Sequence, residues 1–355
     1  MANPSPSSAT ITFSQERQTS LADPEPVIDL IEAFRRSKTM FTAVRMGIFD
    51  VLLERPMNAD EVALRLASDR AATGQLLEAC VALRLLTFGE GLFRNTELSA
   101  TYLAEASPRS LAGYILYSDY ALYPMWGHLE DAVREGTARW GQTFGSSGPI
   151  FDLFFSGEDK LRTFISGMHG LGLTVSPAIA TAFDLSRFHL MADLGAATGH
   201  LAIAACEAWP ELRATVFDLD RVLPLAREKV AKSPARDRIS CRAGDFFRDP
   251  LPSADLYALG RVLHDWGEEK IGSLLRRLFE ALPAGGGLLI AEKLIGEDRS
   301  GPVSAYMQSL NMLVCTEGKE RSFSEYKLLL EQAGFRHAEA RITGLYLDAI
   351  LARKG

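Results

Sequence analysis

Asp193-Leu-Gly-Ala-Ala-Thr-Gly199 places an acid and a run of small residues between two apolar stretches, the first ending at Ala192 and the second beginning at Leu201. The chemistry open to such a stretch is the cradling of a nucleoside. Gly195 and Gly199 lack a Cβ, so the main chain can turn sharply and approach a ligand, and the helix after the loop offers N–H groups without intrahelical partners. The same turn occurs in α/β proteins that bind nothing, so it counts only in company. Asp218 is that company: it lies about 20 positions beyond Gly195, at the end of an apolar run, where a carboxylate can accept from both hydroxyls of a ribose. Gly244-Asp-Phe-Phe247 adds Asp245 for an adenine amino group and Phe246 for its face, or a loop cap and a core aromatic. A dinucleotide would require glycines at 195, 197 and 200, and the chain has Ala197 and His200 there.

The elements that must hold these residues emerge from periodicity. Apolar runs at 190–194, 214–217, 239–241, 255–259 and 287–291 alternate with helical patterns, which predicts a parallel sheet with crossover helices. Strands at 337–341 and 346–351, after a helix at 324–333, form an antiparallel hairpin. Upstream, residues 27–54 read as two helices, or one interrupted helix, with Gly47 marking the break. Asn58 and Glu61 have capping-box spacing for a short helix to Ala67. A further helix starts at Asp69 or Thr73 and runs over 76–86, and a hairpin comes next at 85–88 and 92–95. This is a winged-helix order, but Asp69–Glu78 sets one Arg against two acids, which does not suit a DNA-recognition helix. Residues 110–185 are helical and rich in aromatics: Tyr114, Tyr117, Tyr120, Tyr123, Trp126, Phe151, Phe154, Phe155 and Phe164, with a loop at 141–148. Such a stripe suits an interface or the lining of an aromatic-substrate pocket.

With 355 residues, 47% of them hydrophobic, the chain can build two domains, and a formal charge of -7 does not favour nucleic acid or an anionic membrane as partner. The 4 cysteines show no CxxC spacing and read as free thiols of a reducing cytoplasm. No run of about 20 apolar residues is present, and the first residues lack signal-peptide character, so a cytoplasmic protein with a disordered leader over 1–22 is expected. No metal is expected, since no His, Cys, Asp and Glu cluster has ligand spacing.

Asp193-Leu-Gly-Ala-Ala-Thr-Gly199, Phe217-Asp218, Gly244-Asp-Phe-Phe247, Gly260-Arg-Val-Leu-His-Asp-Trp266 and Ala284-Gly-Gly-Gly287 occur in one order. Over the whole chain they resemble the class I S-adenosylmethionine-dependent O-methyltransferases. Within these the chain is most similar to the acetylserotonin (hydroxyindole) O-methyltransferase group, through Ser309-Leu-Asn-Met-Leu-Val314, Thr316-Glu-Gly-Lys-Glu-Arg321 and Leu347-Asp-Ala-Ile-Leu-Ala-Arg-Lys354. The resemblance implies an α/β fold with a Rossmann-like methyltransferase sheet over 186–355, parallel but for a C-terminal antiparallel hairpin. It implies a mostly helical, winged-helix dimerisation domain over 23–110, a helical connector over 111–185 that contributes to the substrate pocket, and a homodimer. The implied cofactor is S-adenosyl-L-methionine, held by Asp193, Gly195, Gly199, Asp218, Leu219, Asp245, Phe246 and Arg261.

A phenolic hydroxyl, with a pKa of about 10, is a poor nucleophile at neutral pH, so methylating it requires a positioned base. His264 comes after the carboxyl end of the fourth strand, where open α/β sheets place their ligands. The resemblance gives Glu320 the role of orienting its ring and sets Asp265 against the substrate. It makes Tyr117, Phe164, Met168, Trp266, Asn311, Met312 and Cys315 the walls of a site for a small aromatic hydroxyl compound. The chain departs from the family at Ala197, where the loop has glycine. It departs at Cys315, where the acetylserotonin enzymes carry Gln, and at about Gly172, where the vertebrate enzymes place a tryptophan. Methyl transfer to nitrogen, carbon or sulfur, and a cofactor-binding dimer without catalysis, are the alternatives.

Overall fold

Glycine punctuates the N-terminal helices of the computed structural model, which describes residues 22–145, 148 and 157–355. The expected leader, and Phe151, Phe154 and Phe155, lie outside the described residues. Helix Glu25–Arg45 ends just before Gly47, which takes a φ of 75°, and helix Ile48–Glu54 comes next. Asn58 and Glu61 make the expected capping box for helix Ala59–Leu66, and Asp69 caps helix Arg70–Ala82 by accepting from Ala72 N. That second helix stops short of the expected Leu86. Arg84 turns the chain with a φ of 59°, and Leu86 opens strand β1 (Leu86–Gly89), antiparallel to β2 (Leu92–Asn95). Ile48, Phe49, Leu77, Cys80 and Phe93 pack into the core of this unit, while Val27, Ile28, Leu30, Ile31 and Phe34 of the first helix remain exposed.

The aromatic region is helical, with one irregularity. Between helices Ala112–Tyr117 and Tyr123–Trp126 the chain makes a π-helical turn, Ser118–Leu122. Its Asp119 is buried, accepts a hydrogen bond from Lys38 Nζ, and lies 2.7 Å from Arg45 Nη1, so the turn is tied to the first helix. The expected loop at 141–148 begins instead inside a short helix, Trp140–Phe144, which Gly145 ends at a φ of 68°. The reason is docking: Arg139 N donates to Val314 O at 2.8 Å and Trp140 Nε1 to Cys315 O at 2.9 Å. Helix Glu158–Ala180 then crosses helix Ala112–Tyr117 so closely that a Cβ on Gly167 would sit 2.6 Å from Tyr114 N.

The C-terminal half holds a seven-stranded sheet. Its parallel strands are β3 (Leu190–Leu194), β4 (Arg213–Asp218), β5 (Ile239–Ala243), β6 (Leu256–Gly260) and β7 (Gly287–Glu292). Outside it, β8 (Leu294–Ile295) and β9 (Arg321–Ser322) form a short parallel pair. The antiparallel hairpin β10 (Arg336–Arg341) and β11 (Asp348–Arg353) completes the order β10-β11-β7-β6-β3-β4-β5. The last strand starts two residues later than the expected 346, because buried Asp348 is spent on pinning the turn: it accepts from Thr343 N and Leu294 N and pairs with Lys293 Nζ at 3.0 Å. Helices His200–Ala208 and Leu223–Lys232, with the end of Glu158–Ala180, cover one face of the sheet. Helices Glu268–Ala281 and Phe323–Gln332 cover the other. The chain runs outward from β3 to β5 and returns to β6 on the other side of β3. That reversal opens a crevice at the carboxyl ends of β3 and β6.

Candidate active site

The cradle forms where β3 ends. Gly195, Ala197 and Gly199 all adopt left-handed backbone, with φ of 65°, 50° and 75°. A Cβ on Gly199 would lie 2.6 Å from Val216 Cγ2, so only glycine fits between the loop and β4, and one on Gly195 would lie 3.2 Å from Phe246 Cε1. Phe246 thus rests on the loop. Asp218 closes the cradle: its Oδ2 accepts from Ala197 N and its Oδ1 from Leu219 N, each at 2.7 Å, and burial pushes its carboxyl up to about 6. Each oxygen keeps a second lone pair for a ligand hydroxyl. Asp193 faces inward and accepts from Ala202 N at 3.2 Å, and burial raises it to about 7. Asp245 caps its own loop by accepting from Phe247 N at 2.8 Å.

After β6 the chain enters a short 3-10 turn, Leu263–Asp265, which buries His264. Nδ1 of His264 lies 2.6 Å from Glu320 Oε1. In the ionised form of Glu320, which Arg261, Arg321 and Lys293 favour against its burial, Nδ1 is the donor, a tautomer assigned from the contact, and Nε2 carries the lone pair. Asp265 Oδ1 lies 3.8 Å from Nε2. Burial raises Asp265 to about 6 and Glu320 to about 8, with Arg261, Arg321 and Lys293 drawing Glu320 back down. Glu320 is pressed into place through Gly318, where a Cβ would meet His264 O at 2.1 Å.

A third acid, Glu292, surrounds the same turn. It is fully buried at the end of β7; its Oε1 accepts from the backbone N of Val262, Leu263 and His264, and its Oε2 flanks Nδ1 at 3.3 Å. Sequence reasoning missed Glu292 and Gly318. The one available signal for Glu292 was an acid closing an otherwise apolar strand. Together His264, Glu292 and Glu320 place ligand-type atoms within 4.8 Å of one another, a cluster that spacing along the chain could not reveal.

The acceptor side gathers most of the expected wall. Tyr117 and Phe164 meet edge to face with ring centroids 5.1 Å apart, in a cluster with Cys315 and Trp126. Asn311 is buried beside them; its Oδ1 accepts from Trp126 Nε1 at 2.9 Å, a partner not foreseen. Met312 is buried one residue further along the same helix, Val303–Cys315, and Met168 is half-buried on helix Glu158–Ala180. Trp266 packs edge-on against Phe247 at 5.1 Å with Lys270 Nζ 4.8 Å from its ring. Arg261, at a φ of 55°, holds its guanidinium over the Tyr346 ring, and its buried Nη1 has no hydrogen-bond partner among the described residues. An unpaired buried guanidinium N–H fits a carboxylate. At Gly172, where the vertebrate enzymes place a tryptophan, the His200 ring fills the space, with Cδ2 and Cγ 2.4 Å from where a Cβ would stand.

A parallel sheet that reverses at β3, with a glycine loop and acids at successive strand ends, defines a nucleoside-binding α/β fold of the class I methyltransferase kind. The chain belongs to the O-methyltransferase family: the O-methyltransferase domain matches residues 126–336, and the O-methyltransferase dimerisation domain matches residues 28–105. It is 42% identical over 338 residues to acetylserotonin O-methyltransferase of Gallus gallus, covering 93% of this chain and 97% of that protein. The corresponding human enzyme is 41% identical over 333 residues, covering 92% and 96%. The crystal structure of human N-acetylserotonin methyltransferase in complex with SAM superposes with a TM-score of 0.90 at 40% identity, covering 97% of this chain and 100% of that one.

Proposed function

We propose that this methyltransferase binds S-adenosyl-L-methionine in the Gly195–Gly199 cradle and methylates the hydroxyl of a small aromatic acceptor of the hydroxyindole type, with His264 as base. When bound, S-adenosylmethionine supplies an electrophilic methyl group on a sulfonium. Asp218 would hold its ribose, Phe246 and Asp245 its adenine, and Arg261 its carboxylate. The rest is done by the chain. His264 Nε2 takes the acceptor's proton, and Glu320 fixes the tautomer and stabilises the imidazolium that forms. Asp265 stands beside Nε2 to hold the acceptor, while Tyr117, Phe164, Met168, Met312 and Cys315 enclose its ring. Asn311 has its oxygen occupied by Trp126, so its amide NH₂ is left to donate to an acceptor carbonyl.

The observation that carries this reading is the 2.6 Å contact between His264 Nδ1 and Glu320 at the end of β6, which leaves Nε2 as the ring nitrogen available to an acceptor. The chicken and human relatives, which act on acetylserotonin, support the acceptor class. A homodimer formed through residues 23–110, a pocket connector over 111–185, a catalytic unit over 186–355 and a cytoplasmic location complete the proposal. Among the described residues no helix is long and apolar enough to cross a membrane.

The test is His264→Gln assayed on phenols and hydroxyindoles. Methyl transfer should fall about 10²–10⁴-fold while S-adenosylhomocysteine affinity, read by calorimetry, stays within about threefold. Near-normal turnover would instead indicate an acceptor atom, such as sulfur, that needs no base.

A further inference from the structure

Helix Glu158–Ala180 carries acceptor-wall residues Phe164 and Met168, and one of its faces also meets the cofactor loop. His169, Gly172 and Ser176 recur at helical spacing, so they line one stripe. Opposite that stripe stand Thr198, the last residue before Gly199, and His200, the first residue of the helix that the loop opens. His169 Nδ1 lies 2.8 Å from Thr198 Oγ1, and His200 Nδ1 lies 2.8 Å from Ser176 Oγ. Thr198 and Ser176 are 1% and 2% exposed, so water cannot replace either partner. Between the two contacts the His200 ring lies flat in the space left by the absent side chain of Gly172, where a Cβ would come within 2.5 Å of Nδ1.

Two crossed hydrogen bonds with a ring seated between them fix translation and rotation of one element against the other. Ordinary packing of helix on loop would need neither the pairing of each histidine with a buried hydroxyl nor a vacancy matched to the ring. We propose that His169 and His200, seated at Gly172, are positioning residues that key the acceptor-bearing helix to the cofactor loop, so that the loop holds its ligand-binding shape only while this helix is docked. His169 and His200 act through Thr198 and the loop backbone, and neither is assigned to the reacting atoms. The inference rests on the reading of 195–199 as the cofactor loop.

The experiment is a titration of S-adenosylhomocysteine into the full-length protein by calorimetry, with a thermal melt of each variant. His169→Leu should raise Kd about five- to tenfold, Thr198→Val should do the same, and the double variant should be no worse than either alone. His169→Gln, which can still bond the Thr198 hydroxyl, should recover most of the affinity. Gly172→Ala should weaken binding by displacing the ring, and adding His200→Ala should recover part of that loss. If His169→Leu and Gly172→Ala lower the melting temperature but leave Kd within twofold of the parent, the residues only pack and the proposal falls. Additive losses at His169 and Thr198, or no recovery in the Gly172→Ala/His200→Ala double variant, would also overturn it. Asp218→Ala is the control: if it leaves S-adenosylhomocysteine binding intact, the loop reading itself is wrong, an outcome distinct from a failed key.

Discussion

Ala197 holds a left-handed φ of 50° in the middle of the cofactor loop, and its N–H is committed to Asp218. Left-handed backbone costs a residue with a Cβ about 1–2 kcal/mol, and glycine gives back about 0.4–1 of that through its freer unfolded chain. Ala197→Gly should therefore stabilise the protein by about 0.5–1 kcal/mol in urea melts and leave cofactor affinity equal or better. A marked loss of affinity would mean that the alanine methyl contacts the ligand. His169 and His200 give a second test at this scale. Burial holds them down, to about 3 and about 4, with Lys229 and Arg261 adding in the same direction and Glu228 opposing at His169. In the unfolded chain each returns to about 6.5, so between pH 6.5 and 4 the unfolded state binds more protons at these two sites and their contribution to stability falls as pH falls, against the opposite contribution of the raised carboxyls Asp193, Asp218, Asp265 and Glu320. Replacing both with Gln should make the variant gain stability relative to the parent as melts go from pH 7 to pH 4.5; a constant difference between the two would show that these histidines do not contribute. What was legible here was residue type at a strand end: Asp218, Phe246 and His264 announce themselves. Glu292, Trp126 and the His200–Gly172 fit do not, because each gains meaning only from a partner far along the chain.

At the scale of elements, the turn bearing His264 and the loop bearing Glu320 touch through backbone. A side chain at Gly318 would overlap His264 O and come within 2.7 Å of Trp266 N. Gly318→Ala should push the two apart and lengthen the Nδ1–Glu320 contact. The expected result is a loss of kcat of about tenfold or more, a destabilisation of about 1–3 kcal/mol, and near-normal S-adenosylhomocysteine binding, since the cradle lies on other loops. Equal losses in binding and turnover would show that the strain spreads through the sheet. Strand positions were readable to within a residue or two because each apolar run is bounded by polar turns. Element ends were less so: Arg84 at a positive φ and Asp348 tied to Lys293 end or delay elements for reasons that periodicity does not encode.

For the whole molecule, the alternation of strand and helix revealed the parallel sheet and its antiparallel closure, while the way the N-terminal unit grips the rest was hidden. Lys38 and Arg45 on the first helix reach Asp119 next to the acceptor wall, and the same helix exposes Val27, Ile28, Leu30, Ile31 and Phe34. A stripe of that kind on a unit matching a dimerisation domain argues for burial against a second copy. Ile31→Asp/Phe34→Asp should convert the species seen by analytical ultracentrifugation from dimer to monomer, and an unchanged dimer would place the contact elsewhere.

The π turn at Ser118–Leu122 has a consequence for chain length. A π turn is one residue longer than the α turn it replaces, so it acts as an insertion absorbed without a loop. Removing one residue there would restore the α repeat, leaving the flanking helices close to their present phase but rotating the residues within the turn. Tyr117 and Trp126 flank the turn and share one cluster. Those two could keep that place after such a deletion, but Asp119 within the turn would lose its setting between Lys38 and Arg45. In this segment a point substitution should be tolerated far better than a change in residue count.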